Sequence, residues 1–321
     1  MLFITEEQVK EKYPMKQCIA DVKRAFELAK TSNIDAPFRT VLEHKSPGSH
    51  TLYMPSYVEA IDYASVKISS IFPSNSDTNV PMIQSVMILT ETLTGQHVAT
   101  LAASELTVRR TGAISGIATD YLARKDAKTL AVVGCGAQSL GQVQAIMEVR
   151  NIEQIFLYNR TKERASSLQN TIVETYPTLE NKVVVMDDVK SAVEEADVIV
   201  LSTSSNTPVL KGEYLKAGTH INAIGSCEPT KQEYDAETLL RANSVYVDTY
   251  EGAKNEAGAL IIPANNNEWS MDKIDGELSD LIVNGQGRKH EDDITLLDSV
   301  GVGFLDTVCA ASVYEAVIEK E

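Results

Sequence analysis

At 321 residues, with 43% hydrophobic and 23% charged side chains and no low-complexity tract, the chain carries enough apolar surface for a sizeable core and enough length for about two domains. Its 45 acidic against 29 basic residues give a formal charge of -16, which repels phosphate backbones and anionic head groups and argues against nucleic acid and membrane surfaces as partners. No run approaches the ~18 to 20 apolar residues of a membrane span, and Met1 to Lys12 lacks a leader pattern. Neither the four dispersed cysteines nor the five scattered histidines have the spacing of a disulfide framework or a metal site. A cytoplasmic chain without a bound metal is expected.

From Met15 to Lys30, the residues Ile19, Val22, Phe26 and Ala29 recur at helical spacing and predict an amphipathic helix opening an N-terminal domain. Short β-rich runs follow at Thr51 to Met54, Ala64 to Phe72, Ser85 to Thr90 and, after Thr94-Gly95, His97 to Leu101. This is the pattern of an antiparallel meander. A helix rich in small residues is predicted from about Glu105 to Arg124. From Lys128 strand and helix alternate: Thr129 to Val133, a helix to Arg150, Ile155 to Tyr158, a helix to Tyr176, Val183 to Met186, a short helix, and Val198 to Ser202. Such repetition requires a parallel sheet covered on both faces, and strands at His220 to Ile224 and Val245 to Asp248 extend it. The last helix, Phe304 to Glu319, follows the break Gly301-Val302-Gly303 and is expected to fold back onto the N-terminal domain. The expected class is α/β, a Rossmann-type parallel-sheet domain over residues 125–299 and an α+β domain made of residues 1–124 with 300–321.

Gly134-Cys135-Gly136-Ala137-Gln138 follows the apolar strand Leu130-Ala131-Val132-Val133 and precedes a helix. Small residues there permit a tight turn and let a pyrophosphate approach the helix N-terminus, where unpaired N–H groups and the helix dipole favour an anion. The third position of the fingerprint, usually glycine, is Ser139, with Gly141 two residues on. After the second strand an NAD-selective fold places an acid on the ribose 2'-hydroxyl, but this strand ends in Tyr158-Asn159-Arg160-Thr161-Lys162. Asn159 and Thr161 can hydrogen-bond a 2'-phosphate, and Arg160 and Lys162 can pair with its charge. NADP(H) is therefore the expected cofactor, with NAD(H) as the alternative; the bland reading of the two cations is a solvated helix start.

In the first third, Arg39, Lys67 and Arg110 lie among apolar or small residues in a chain short of positive charge. Converging, they would make a clamp for an anion such as a carboxylate. Taken alone, Lys67 reads equally well as a snorkelling lysine on an edge strand.

The chain resembles the ornithine cyclodeaminase and mu-crystallin family, which also contains alanine dehydrogenases and cyclic ketimine reductases. The resemblance spans nearly the whole chain and rests on Pro37-Phe38-Arg39-Thr40, Tyr53-Met54-Pro55, Val66-Lys67, Phe72-Pro73-Ser74-Asn75, Leu106 to Ala113, Gly134 to Gln138 and Asp298-Ser299-Val300-Gly301. It implies that Arg39, Lys67 and Arg110 grip an α-carboxylate beside the carbon that exchanges hydride. It implies that Thr111, Ala137, Gln138, Asn159, Thr203, Ile224, Gly225, Ser226, Lys231 and Ser299 border the cofactor, and that Val300 borders the substrate. It also implies a homodimer formed through the N-terminal, substrate-binding domain.

Two positions depart from the cyclodeaminase pattern. Cys227 stands where those enzymes carry an aspartate and Leu52 where they carry a glutamate. Both acids are tied to handling the substrate amine, so their absence argues against ornithine cyclisation. Cys227 itself, with no histidine near it in sequence, reads as a small half-buried residue. The expected function is transfer of hydride at C2 of a small imino or amino carboxylate, with Lys67 or a bound water serving the nitrogen's proton. The alternatives are ornithine or lysine cyclodeamination, a biosynthetic imine reductase joining two amino acids, and a non-catalytic, mu-crystallin-like ligand-binding protein.

Overall fold

The computed structural model describes residues 1–319, with Ser76 and Asp77 described by backbone alone. Its contacts divide into two compact units, one of residues 1–110 with the C-terminal segment from Val302, the other Thr111–Gly301. The first break falls inside the helix Ser104–Leu122, upstream of Lys125, where the composition changes.

Among the described residues the first unit has seven strands, β1 (Leu2–Ile4), β2 (Ile34–Asp35), β3 (Thr40–Glu43), β4 (His50–Val58), β5 (Tyr63–Ile71), β6 (Ile83–Glu91) and β7 (His97–Ala102). The order is β1-β7-β6-β5-β4-β2, with β3 also on β4. The meander of β4 to β7 is antiparallel as expected, and β1 adds in parallel beside β7. β4 and β6 outrun the apolar runs that predicted them because nine-residue pairing with β5 on both sides fixes their length. One face is covered: the row Ile4, Leu101, Met87, Lys67, Met54 is buried throughout. Against this layer lies the helix Gly303–Ile318, and the helix Met15–Thr31 packs on that helix, joined edge to face by Phe26 and Phe304 at 5.7 Å. On the opposite face Phe3 (60% exposed), Leu42 (49%) and Val86 (37%) stand open. Beside them in register are Tyr53, Ile68 and Ile88.

The second unit holds eight strands, β8 (Thr129–Val133), β9 (Gln154–Tyr158), β10 (Val183–Val185), β11 (Val198–Leu201), β12 (His220–Ala223), β13 (Ser244–Val247), β14 (Gly276–Glu277) and β15 (Thr295–Asp298). All are parallel, in the order β10-β9-β8-β11-β12-β15-β13-β14. The order reverses between β8 and β11, the switch point at which such sheets take ligands outside the strand C-termini. β15 was not predicted. Its four residues, Thr295-Leu296-Leu297-Asp298, are buried between β12 and β13, and so short an apolar run has no period to betray it.

Candidate active site

Lys67 is on β5, which is paired on both sides, so the edge-strand reading does not hold. At 2% exposure in an apolar row, its ammonium is costly unless paired. Its partner is Asp306, 1% exposed: Lys67 Nζ donates to Oδ2 at 2.7 Å, and Arg110 Nε donates to Oδ1 at 3.1 Å. Asp306 lies in the first turn of Gly303–Ile318, where the helix dipole favours a carboxylate. That turn is pinned to the sheet by hydroxyls. Thr307 bonds Ser65 at 2.7 Å and also Ser56, and Ser56 Oγ donates to the Gly303 carbonyl at 3.1 Å. Burial pushes the Lys67 ammonium down to about 8, helped by the charges of Arg110 and Arg39 and opposed by Asp306. Burial alone would raise the Asp306 carboxyl, but Arg110 and Lys67 outweigh it and hold it below the usual carboxylate range. Arg39, half-buried just before β3, completes the cluster through its charge on Lys67. Lys67 and Arg110 therefore meet on an internal carboxylate that sequence reasoning missed, with the charge of Arg39 acting on Lys67. The available signal was an acid in the otherwise uncharged run Phe304 to Ala311.

In the second unit the topology gathers the other expected residues at the C-terminal ends of the parallel strands. Gly134, Gly136, Ala137 and Gln138 follow β8, Asn159 to Lys162 follow β9, Thr203 follows β11, Ile224 to Ser226 follow β12, and Ser299 and Val300 follow β15. Thr111, half-buried, is on the helix Ser104–Leu122. Gly134 has φ +95°, and a Cβ on it would stand 2.6 Å from the Ser202 carbonyl oxygen, whereas a Cβ on Gly136 would meet open space. Ser139, at the usual third-glycine position, is fully buried and donates to the Gly134 carbonyl at 2.7 Å. The close packing that a third glycine allows is supplied elsewhere, by Gly112 facing the Gly141 carbonyl, which its Cβ would meet at 2.3 Å.

A buried carboxylate, also missed, ties two of these loops together. Glu233 accepts from the Thr203 N–H at 2.6 Å and the Gly225 N–H at 2.8 Å. Its burial pushes the carboxyl up to about 7 against those hydrogen bonds. Beneath the last loop, Asp298 is pushed up to about 8 by burial while accepting from Tyr234 at 2.7 Å. Asp248 takes the Ser299 hydroxyl at 2.8 Å and the Gly301 N–H at 2.6 Å.

The fold gives several of the expected residues partners or surroundings that the sequence did not show. Asn159 is already engaged, accepting from the Cys135 N–H at 3.0 Å and donating to the Thr161 carbonyl at 2.8 Å. Lys162, read as a cation for a 2'-phosphate, is 2.7 Å from Asp187. The sequence has no acid at this strand end, but the fold brings one from the loop after β10. Arg160 is exposed, Lys231 pairs with Glu228, and Val300 packs in the core at 7% exposure. Cys227 is exposed rather than half-buried. Leu52, half-buried on β4, is opposite Ser69.

The residues fit a dinucleotide. Gly136 leaves an open cradle at the first turn before the helix Ser139–Val149, and Gln138 Oε1 beside it is buried without a hydrogen-bond partner. Among the described residues there is no cluster of side chains able to hold a metal ion, and no helix is long and apolar enough to cross a membrane.

A family model described as the ornithine cyclodeaminase/mu-crystallin family matches residues 1–321. A Delta(1)-pyrroline-2-carboxylate reductase of Bacillus cereus is 35% identical over 321 residues, covering 100% of this chain and 98% of the relative. Among solved structures, that of Thermococcus litoralis Delta(1)-pyrroline-2-carboxylate reductase in complex with NADH and L-proline has a TM-score of 0.95 at 32% identity, covering 100% of this chain and 98% of that one. An archaeal alanine dehydrogenase dimer with bound NAD has a TM-score of 0.91 at 30% identity, covering 100% and 97%.

Proposed function

The chain belongs to the ornithine cyclodeaminase/mu-crystallin family, and from that premise we propose that it is a nicotinamide-dependent oxidoreductase acting at C2 of a small 2-imino carboxylate, of the cyclic kind that its pyrroline-2-carboxylate reductase relatives are named for. The observation that carries this reading is the pair of Lys67 and Arg110 on the single buried carboxylate of Asp306, with the charge of Arg39 also acting on Lys67. Two buried cations on one carboxylate, in a chain of net charge -16, leave positive charge for one more carboxylate. Arg39 and Arg110 hold the substrate carboxylate, and Lys67 Nζ supplies the proton that the imine nitrogen needs when C2 is reduced. Gly134 to Gln138, Asn159 to Lys162, Thr203, Ile224 to Ser226, Lys231, Ser299 and Thr111 hold the dinucleotide, and Val300 backs the substrate. The bound nicotinamide supplies or accepts the hydride, and the protein orients, excludes water and moves the proton.

The test is absorbance at 340 nm with reduced dinucleotide and cyclic or linear 2-imino acids, and the reverse with amino acids. Rapid oxidation with a five- or six-membered cyclic 2-imino acid is expected. With ornithine and NAD, proline and ammonia are expected to stay near background, because Leu52 and Cys227 replace both acids of the cyclodeaminase pattern. Ornithine conversion at the best reductase rate would overturn this choice of branch.

The preference for NADPH over NADH is the finer part of the proposal, and it rests on Arg160, since Lys162 is partly neutralised by Asp187. Arg160→Ala is expected to shrink the preference about tenfold, equivalent to about 1.4 kcal/mol. Asn159→Asp would push selectivity toward NADH by repelling the 2'-phosphate. Titration of both cofactors into these proteins checks it, and a wild type preferring NADH by tenfold would overturn it.

The open apolar face carrying Phe3, Leu42 and Val86 is covered by a second copy of the chain, in keeping with the dimer of the alanine dehydrogenase relative. Val86→Glu would bury an unpaired charge in that contact. Light scattering is expected to give a dimer for the wild type and a monomer for the variant.

A further inference from the structure

Lys67 and Arg110 reach the same small carboxylate from a strand and from a helix, one on each oxygen. Asp306 is 1% exposed, so no ligand displaces it. Its helical turn is held to β4 and β5 by the hydroxyls of Ser56, Ser65 and Thr307, which fixes the carboxylate relative to the strand that carries Lys67. The arrangement does two things. It sets the separation and direction of the two cations, and it places a permanent negative charge beside the ammonium, in an apolar row where an unpaired ammonium would give up its proton.

We propose that Asp306 is the positioning residue of the site, holding Lys67 Nζ and the Arg110 guanidinium in place for the substrate and keeping Lys67 protonated in the working range of the enzyme. This rests on the proposed reading that Lys67 and Arg110 serve the substrate. The charges that face Lys67 are Arg110 on its helix, Arg39 before β3 and Asp306 on the C-terminal helix; of the three, Asp306 alone favours the charged ammonium. Loss of its charge therefore moves deprotonation of Lys67 to lower pH. Activity that needs the ammonium is then lost at lower pH as well.

The experiment compares Asp306→Asn with the wild type in kcat, KM and the pH dependence of kcat/KM, which reports groups of the free enzyme. The asparagine keeps the size and loses the charge. Its alkaline limb is expected at least one pH unit below that of the wild type, with kcat/KM at pH 7.5 reduced tenfold or more and dinucleotide affinity unchanged within about threefold. A limb in the wild-type position overturns the proposal. Asp306→Glu keeps the charge but displaces it by one methylene. Its limb is expected within a few tenths of a unit of the wild type while kcat falls, and this variant decides the matter should the asparagine form not fold. A glutamate form equal to the wild type in kcat and KM would show that position is not what Asp306 provides. Lys67→Met, assayed alongside, separates the two failures. If Lys67→Met is fully active the functional reading fails, whereas if it is impaired and the Asp306 variants are not, only the present inference fails.

Discussion

Lys67→Met is expected to lower kcat/KM about a thousandfold, most of it in kcat, without unfolding the protein. Methionine is unbranched and nearly isosteric with the lysine stem, and it would join Met54 and Met87 in a row that is already apolar. Asp306 keeps its bond to Arg110, so no buried charge is left wholly unpaired. The loss comes from chemistry: removing a positioned proton donor costs about 100- to 10,000-fold, and losing one charge-assisted contact to the substrate carboxylate costs about 1.5 to 3 kcal/mol. In the wild type, kcat/KM is expected to fall as pH rises through about 8, because there the ammonium loses its proton. The methionine form loses this limb. Steady-state rates from pH 6 to 10 and a melting curve check both parts, and turnover within threefold of the wild type would remove Lys67 from the reaction.

Two neighbouring glycines are expected to fail in different ways. Gly134→Ala places a side chain on φ +95° and 2.6 Å from the Ser202 carbonyl oxygen, so the chain has to shift at the switch point of the sheet. Such backbone strain costs about 1 to 3 kcal/mol, and with the clash about 2 to 4 kcal/mol is expected. That lowers the melting temperature by roughly 5 to 15 °C and abolishes dinucleotide binding. Gly136→Ala meets nothing within 4 Å and is expected to melt within about 2 °C of the wild type. Its methyl group, however, fills the cradle where a pyrophosphate must approach the backbone, and affinity for dinucleotide is expected to fall about a hundredfold, near 2.7 kcal/mol. Calorimetry paired with cofactor titration reads both. If Gly136→Ala binds as the wild type does, the pyrophosphate does not sit on this loop.

The legible part of this protein was the part governed by local rules. The alternation from Thr129 onward dictated a parallel sheet, because each strand is a short apolar run followed by a helical pattern. The setting of Gly134 and Gly136 after a strand and before a helix predicted a tight turn of small residues, and the structure has that turn, with a positive φ at Gly134 and open space beside Gly136. Arg39, Lys67 and Arg110 were recognisable as cations out of place in a small-residue setting. Other features depended on residues far apart in the chain. β15 has only four residues, and its place between β12 and β13 follows from pairing across the sheet. Asp306 is 239 residues from Lys67 and 196 from Arg110. An acid in an apolar stretch of helix signals a buried charge without naming its partners, since burial, not spacing, makes the pairing necessary. Asp187 illustrates the same point. From sequence the second Rossmann strand ends without an acid, and only the parallel pairing of β9 with β10 brings the carboxylate of Asp187 to Lys162.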